Sequence, residues 1–485
     1  MKPLRILIET EAGAPLNLPE IKYTFQTLLE LAGYPCRFVR NGTKENIDVY
    51  YGNSANRDCK LSIQMERLDR ADIRTPLKTS TVDGIPFFVF STNPLPQEEW
   101  TRRADGMHIF RDIILTAFYF LSGWQEKFIS RNWDDFHRVE DCYAVQAKTY
   151  TKPVINLYAA LLQRAFASGG DPLPVWPDGK KYAVAFTHDV DYPEMVRWIE
   201  CLRYLAKNKT KSSFKKVGEI VCGKESFWRF QDCMDLEKQR GFISSFFFCG
   251  LKRGSLLRYA FKAPDPFYDI EKNHFKELIR RLDQDGFEVG MHSSFLSSES
   301  EAMFLDEKAR VEKVLGKPVH GNRHHYLRMN PNDTPETARM HERAGLLYDS
   351  SLAFERKAGF RRGAASPFHL YDPVSQKALN VLEVAPTLMD DHLFGYRRYN
   401  ETPHWQSEVN SLIKTVKEAA GVLVIVYHPR VMNDTFYPGW GRSFRYWIEK
   451  IAEGGEYYCD TLAHISKHWL ERSQKLKILS SDECF

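Results

Sequence analysis

From Tyr182 to Leu470 this 485-residue chain alternates strand-like runs with helix-period stripes, a pattern that few folds accept. Tyr182 to Phe186, Phe242 to Cys249, Phe287 to Met291, Val381 to Val384 and Val422 to Tyr427 are short and apolar, as buried strands are. Between them, Phe275, Leu278, Ile279 and Leu282 recur at helical spacing, as do Val409, Leu412, Ile413 and Val416. Gly286 and Gly421 follow these stripes as C-caps. Repeated βα units predict a parallel sheet or barrel with helices outside. In such folds the active site lies at the C-terminal ends of the strands.

Five polar segments fall at those ends. They are Thr187 to Asp191 (THDVD), Met291 to Ser294 (MHSS), Arg323 to Tyr326 (RHHY), Tyr348 to Ser351 (YDSS) and Tyr427 to Pro429 (YHP). No segment is specific alone; the series is informative, because a metal-assisted hydrolase needs carboxylate and imidazole ligands, a base and an acid. Alternate residues of an extended strand end share a side, so Asp189 and Asp191 point together and His188 points away. Two converging carboxylates repel unless a cation or an arginine stands between them. Arg323 is placed to pair with a base carboxylate, His292 is a candidate ligand, and either His324 or His325 is a candidate third ligand. His428, ahead of Pro429, is placed to protonate a leaving group.

The rest of the chain sets the context. Residues 168–180 are dense in Gly, Pro and Asp, which marks a linker. The division predicted is an α+β domain over 1–172 and a (β/α) barrel domain over 173–485. In the first part Ile6 to Glu9 and Pro86 to Phe90 read as strands, and Phe110 to Trp124 and Asn156 to Ala167 as helices, with no catalytic constellation. Nine cysteines include no CxxC pair, as in a cytoplasmic protein with reduced thiols. The apolar run after Met1 is too short for a signal peptide, and no run is long enough to span a membrane. A net charge of +4 is too weak to argue for nucleic acid. Arg203, Lys207, Lys209, Lys211, Lys215 and Lys216 mark 203–216 as a candidate for peripheral contact with a membrane surface or an anionic glycan.

Taken in order, the five segments resemble the motifs of the polysaccharide deacetylases, the NodB-like proteins of carbohydrate esterase family 4. The likeness covers about residues 180–470. It is closest to a bacterial branch with an extra N-terminal domain, through Phe118 to Ser122, Arg323 to Arg328, Gly359 to Gly363 with Pro367-Phe368, and Glu383 to Asp390. The resemblance implies a distorted (β/α) barrel. It implies Asp189 as catalytic base, Arg323 as its orienting partner and His428 as general acid, with Asp191 and His292 as metal ligands. The family's second metal histidine, four residues after the first, falls on Leu296, which cannot bind a metal. His325 is the candidate replacement.

The function expected is metal-dependent removal of an N-acetyl or other N-acyl group from an amino sugar, in the making of a cell-surface polysaccharide. The cofactor expected is one divalent ion, zinc by default, with cobalt, manganese or nickel fitting the same ligands. Arg361 and Arg362, in a Gly-bounded segment, are expected to hold acidic groups of the sugar, with Tyr326 and Trp440 stacking on its faces. The partner expected is an amino-sugar glycan or precursor on the cytoplasmic side. Two alternatives stand beside this: an inactive glycan-binding barrel serving as an assembly module, and a hydrolase of a non-sugar amide.

Overall fold

The computed structural model describes residues 1–10, 14–42, 45–54, 58–93, 96–103, 106–127, 129, 139–167, 170–207, 211–252, 265–330, 334–395 and 404–481. Strands are numbered in chain order. The first part carries β1 (Leu4–Ile8), β2 (Cys36–Val39), β3 (Val49–Gly52), β4 (Leu61–Gln64), β5 (Lys78–Val82), β6 (Ile85–Val89), β7 (Trp100–Arg103) and β8 (Gly106–Ile109). Six of these form one sheet in the order β2-β1-β3-β4-β8-β7, parallel except at β7–β8. This is more regular than the α+β arrangement expected. Its strands are only four or five residues long, too short for a readable period, so the sequence showed few of them. The expected strand around Pro86 is β6, which lies outside that sheet in an antiparallel pair with β5.

The second part carries β9 (Tyr182–Val190), β10 (Ser244–Phe248), β11 (Glu288–Ser293), β12 (Gly321–His324), β13 (Tyr348–Asp349), β14 (Phe368–Asp372), β15 (Lys377–Glu383), β16 (Leu388–Met389), β17 (Val422–Val426) and β18 (Tyr457–Cys459). Their order is β14-β15-β13-β12-β11-β10-β9-β17-β16, and β18 shares the β10 side of β9 near its start. All pairs are parallel except β14–β15. Every residue of β9 is buried, as a central strand covered on both faces requires.

The sheet is curled but open. β9 and β12 stand three strand spacings apart, about 14 Å on a flat sheet. Yet the Arg323 guanidinium on β12 donates to Thr187 and Asp189 on β9 at 2.8 and 2.7 Å. It lies 4.5 Å above the Phe247 ring of the intervening β10. An arginine side chain bridges that span only if the strands curve around it. The concave face and the strand ends beside it form the functional side.

The two parts share one continuous apolar core. Polar bonds stitch the seam: Tyr23 Oη donates to the His369 carbonyl at 2.7 Å, Asn156 accepts from Ala365 N at 2.9 Å, and Gln125 Nε2 donates to the Arg361 carbonyl at 2.8 Å. No helix among the described residues is long and apolar enough to cross a membrane.

Candidate active site

A cavity of about 190 Å³ opens at the strand ends, lined by Asp189, Asp191, His292, His325, Tyr326 and His428 together with Tyr192, Glu355, Asp391 and Arg430. Parallel register brings the motif residues level: His292 on β11 stands beside Arg323 on β12, and Asp189 on β9 beside Phe247 on β10.

Asp189 and Asp191 diverge from His188 as strand alternation requires. His188 is buried on the other face, against the Tyr427 carbonyl and Glu237. Burial alone would raise the Asp189 carboxyl, but Arg323, with His292 and His428, holds it below the ordinary carboxylate value. Arg323 is itself fixed by the Ser350 carbonyl at 3.0 Å and Ser350 Oγ at 2.8 Å, so its aim at Asp189 is set from behind.

Asp191 uses its two oxygens differently. Oδ1 faces His292 Nε2 at 3.1 Å and His325 Nε2 at 3.5 Å. Oδ2 accepts from Arg430 Nη1 at 2.7 Å and faces His428 Nε2 at 3.1 Å. Against a large opposing effect of burial, His428, Arg430, His325 and His292 lower its pKa well below the ordinary value.

His292 Nδ1 lies 2.8 Å from the Arg323 carbonyl, so that nitrogen carries a proton and donates. In the neutral ring the Nε2 lone pair then points at the Asp191 oxygen. Two acceptors face each other there, a contact that needs a proton or a cation between them. His325 Nδ1 is buried without a hydrogen-bond partner among the described residues. Asp191, His292 and His325 each offer a ligand atom within 4.8 Å of the others. Metal–ligand distances of 2.0–2.1 Å imply ligand spacings of about 3.3 Å in a tetrahedral set, and 3.1 and 3.5 Å bracket that value. The residues therefore fit a divalent ion. Leu296 is 52% exposed and does not line the cavity.

His325 is placed by an unusual turn. Tyr326 and Leu327 both have left-handed backbone, at φ 58° and 54°, which costs non-glycine residues on the order of 1–3 kcal/mol each. His324 takes the opposite direction into a buried cluster with Ser293 and His341.

His428 receives support that the sequence did not announce. Asp390 accepts from its backbone N at 2.8 Å and faces its Nδ1 at 2.9 Å. Burial disfavours the imidazolium, but Asp390 and Asp191 outweigh it and raise His428 well above its ordinary value. Arg430, two residues on, escaped notice because charged residues after a strand are common. Asp390 stood at the end of the Glu383 to Asp390 segment without a role.

Three expected substrate contacts are corrected. Arg361 and Arg362 are 7% and 2% exposed and lie away from the cavity, both paired with Glu126 of the first part at 3.0 and 3.1 Å. The Gly-bounded segment expected to reach the sugar is part of the buried seam. Gly123 is required there, since a Cβ at that position would sit 1.6 Å from Arg362 Nη1. Trp440 is buried by stacking on Phe394 at 5.3 Å and does not line the cavity. Tyr326 does line it.

Fold and site together define an α/β protein with a curled, open sheet and a buried Asp–His–His set at its strand ends. The sequence profile of a family of unknown function (DUF7033) matches residues 11–169. No curated protein matches the chain. Among solved structures, one assigned as a polysaccharide deacetylase from Mycobacterium smegmatis aligns over 63% of this chain and 95% of its own at 20% identity and TM-score 0.40. One so assigned from Pseudomonas aeruginosa PAO1 aligns over 63% and 97% at 16% identity and TM-score 0.41. The Puue allantoinase aligns over 62% and 95% at 15% identity and TM-score 0.41.

Proposed function

We propose that this chain is a metal-dependent amidohydrolase that removes an N-acetyl or other N-acyl group from an amino sugar of a bacterial polysaccharide or its precursor. The observation that carries the reading is one cavity bearing a three-residue cation set, Asp189 paired with Arg323, and His428 paired with Asp390. A divalent ion, zinc by the chemistry of one carboxylate and two imidazoles, supplies carbonyl polarisation and a more acidic water when held by Asp191, His292 and His325. Asp189 accepts a proton from water, and Arg323 keeps it ionised and aimed. His428 delivers a proton to the departing amine nitrogen. Tyr326 and Tyr192 flank the sugar ring. Arg430 fixes the outer oxygen of Asp191 and so orients its inner one.

The test is elemental analysis of protein purified without chelator, with His292→Ala and His325→Ala beside the wild type, followed by acetate release from N-acetylglucosamine oligomers. Near-stoichiometric metal lost in both variants, with acetate released only by the wild type, is the expected result. A non-catalytic glycan-binding barrel is the second reading, favoured by Arg430, which already supplies a positive charge to Asp191. It predicts no metal uptake and glycan binding that survives both substitutions.

A further inference from the structure

Helices Arg197–Lys207 and Lys211–Val221 follow Asp191 directly and pack on each other. Twelve large hydrophobic side chains are exposed among the described residues, and four of them are here: Trp198, Leu202, Phe214 and Val221. Trp198 and Phe214, the two aromatic ones, are 57% and 72% exposed. Trp198 and Leu202 are four residues apart and Phe214 and Val221 seven, so each pair lies on one helical face. The inward side of the pair is satisfied, with Ile199 packed against Phe267 and Tyr192, and Ile220 buried.

The charge of the segment is equally one-sided. Residues 197–224 contain eight Lys and Arg against two Glu, a net +6, while the whole chain carries only +4. Lys209 and the side chains of Lys207 and Lys211 lie outside what is described; Arg197, Lys215 and Lys224 are exposed. Exposed aromatics among excess lysines are the composition of helices that lie in a lipid interface.

The hairpin is anchored to the rim of the cavity. Tyr204 packs edge-on to Phe436 at 5.9 Å. Lys216 pairs with Glu225 at 2.7 Å, and Glu225 accepts from Asn433 and Thr435 at 2.8 Å each. The same segment carries Arg430, which reaches Asp191.

We propose that this helical hairpin docks on an anionic lipid bilayer, with Trp198, Leu202, Phe214 and Val221 entering the interface and Lys215 and Lys224 meeting lipid phosphates. Docking holds the cavity at the membrane surface. If the hydrolase reading also holds, the substrate class is an amino sugar carried on a lipid rather than a free one.

The test is co-sedimentation of the full chain with vesicles of phosphatidylcholine alone or with one quarter phosphatidylglycerol, with Trp198→Ser/Phe214→Ser and Lys215→Glu/Lys224→Glu as variants. Expected is binding to the anionic vesicles only, at least about tenfold weaker in the aromatic double variant and at least about fivefold weaker per reversed lysine. Unchanged circular dichroism and urea unfolding midpoint establish that the variants are folded. No sedimentation with anionic vesicles, or equal sedimentation of wild type and variants, would overturn the proposal. So would light scattering that shows a dimer broken by the aromatic variant without lipid binding, which assigns the face to a second copy. Vesicle binding is read without turnover, so its failure is separate from failure of the hydrolase reading.

Discussion

Replacing Glu126 with alanine should destabilise the protein by about 3–5 kcal/mol, the usual cost of leaving buried charge without its partner. Glu126 binds Arg361 through both oxygens at 3.0 Å and Arg362 at 3.1 Å, and all three side chains are buried. Two guanidiniums would then face each other in a buried seam, with the carbonyls of Ala353 and Leu121 as their remaining hydrogen-bond acceptors. Exposed ion pairs contribute only about 0–1 kcal/mol, so the magnitude decides whether the seam is closed. The assay is urea unfolding followed by tryptophan fluorescence, with hydrogen exchange at residues 353–363 to localise the effect. A second variant separates charge from packing: Glu126→Leu with Arg361→Met and Arg362→Met should recover most of the loss, because apolar replacement of a whole buried ionic group is often neutral or stabilising. Acid gives a further check. Burial raises the Glu126 carboxyl, but the two arginines bring it below its ordinary 4.5. Its contribution is therefore complete above about pH 4.5 and fades as pH falls through the lower folded value, so wild type and Glu126→Ala should converge in acid. A cost under about 1 kcal/mol, or no convergence, would refute the closed ionic seam.

Three further outcomes are expected. Asp390→Asn removes the largest group raising His428, so the imidazole pKa, followed by NMR of labelled histidine, should fall, and the alkaline limb of any activity should move to lower pH. Arg323→Met removes the main group lowering Asp189; the acid limb should move to higher pH, and an unchanged limb would show that Arg323 does not set the base. His325→Ala should abolish metal uptake in elemental analysis, and adding Leu296→His should not restore it, because position 296 faces solvent; restoration would overturn the assignment of His325.

The strands that carry the site were legible because they are buried and apolar: β9, β10, β11 and β17 overlap the apolar runs Tyr182 to Phe186, Phe242 to Cys249, Phe287 to Met291 and Val422 to Tyr427. β13 and β16 have two residues each, below any periodic signal. At the site, alternation along a strand end separated Asp189 and Asp191 from His188. Pairings between distant segments left no local trace. Asp390 meets His428 across 38 residues, and Glu126 meets Arg361 across 235. Arg361 and Arg362 were misread for that reason, since a buried arginine and an exposed one look alike until their counter-charge is located.

The leucine at 296 and the imidazole at 325 are outcomes of one loop arrangement. β11 and β12 run in register to Ser293 and His324, so the next residues, Ser294 and His325, leave neighbouring strand ends about 4.8 Å apart. Either exit can deliver a side chain to Asp191. The first is pinned outward: Ser294 N donates to Glu307 at 2.8 Å and Phe295 N to Asp265 at 2.7 Å, which leaves Leu296 in solvent. The second is forced inward by the left-handed turn at Tyr326 and Leu327, whose cost requires a fixed anchor. Arg328 is that anchor. It donates to the Phe295 carbonyl at 2.8 Å and to Ser298 Oγ at 2.6 Å, and its guanidinium covers the Phe295 ring at 4.4 Å. One buried arginine thus holds the first loop with its leucine out and the second with its histidine in.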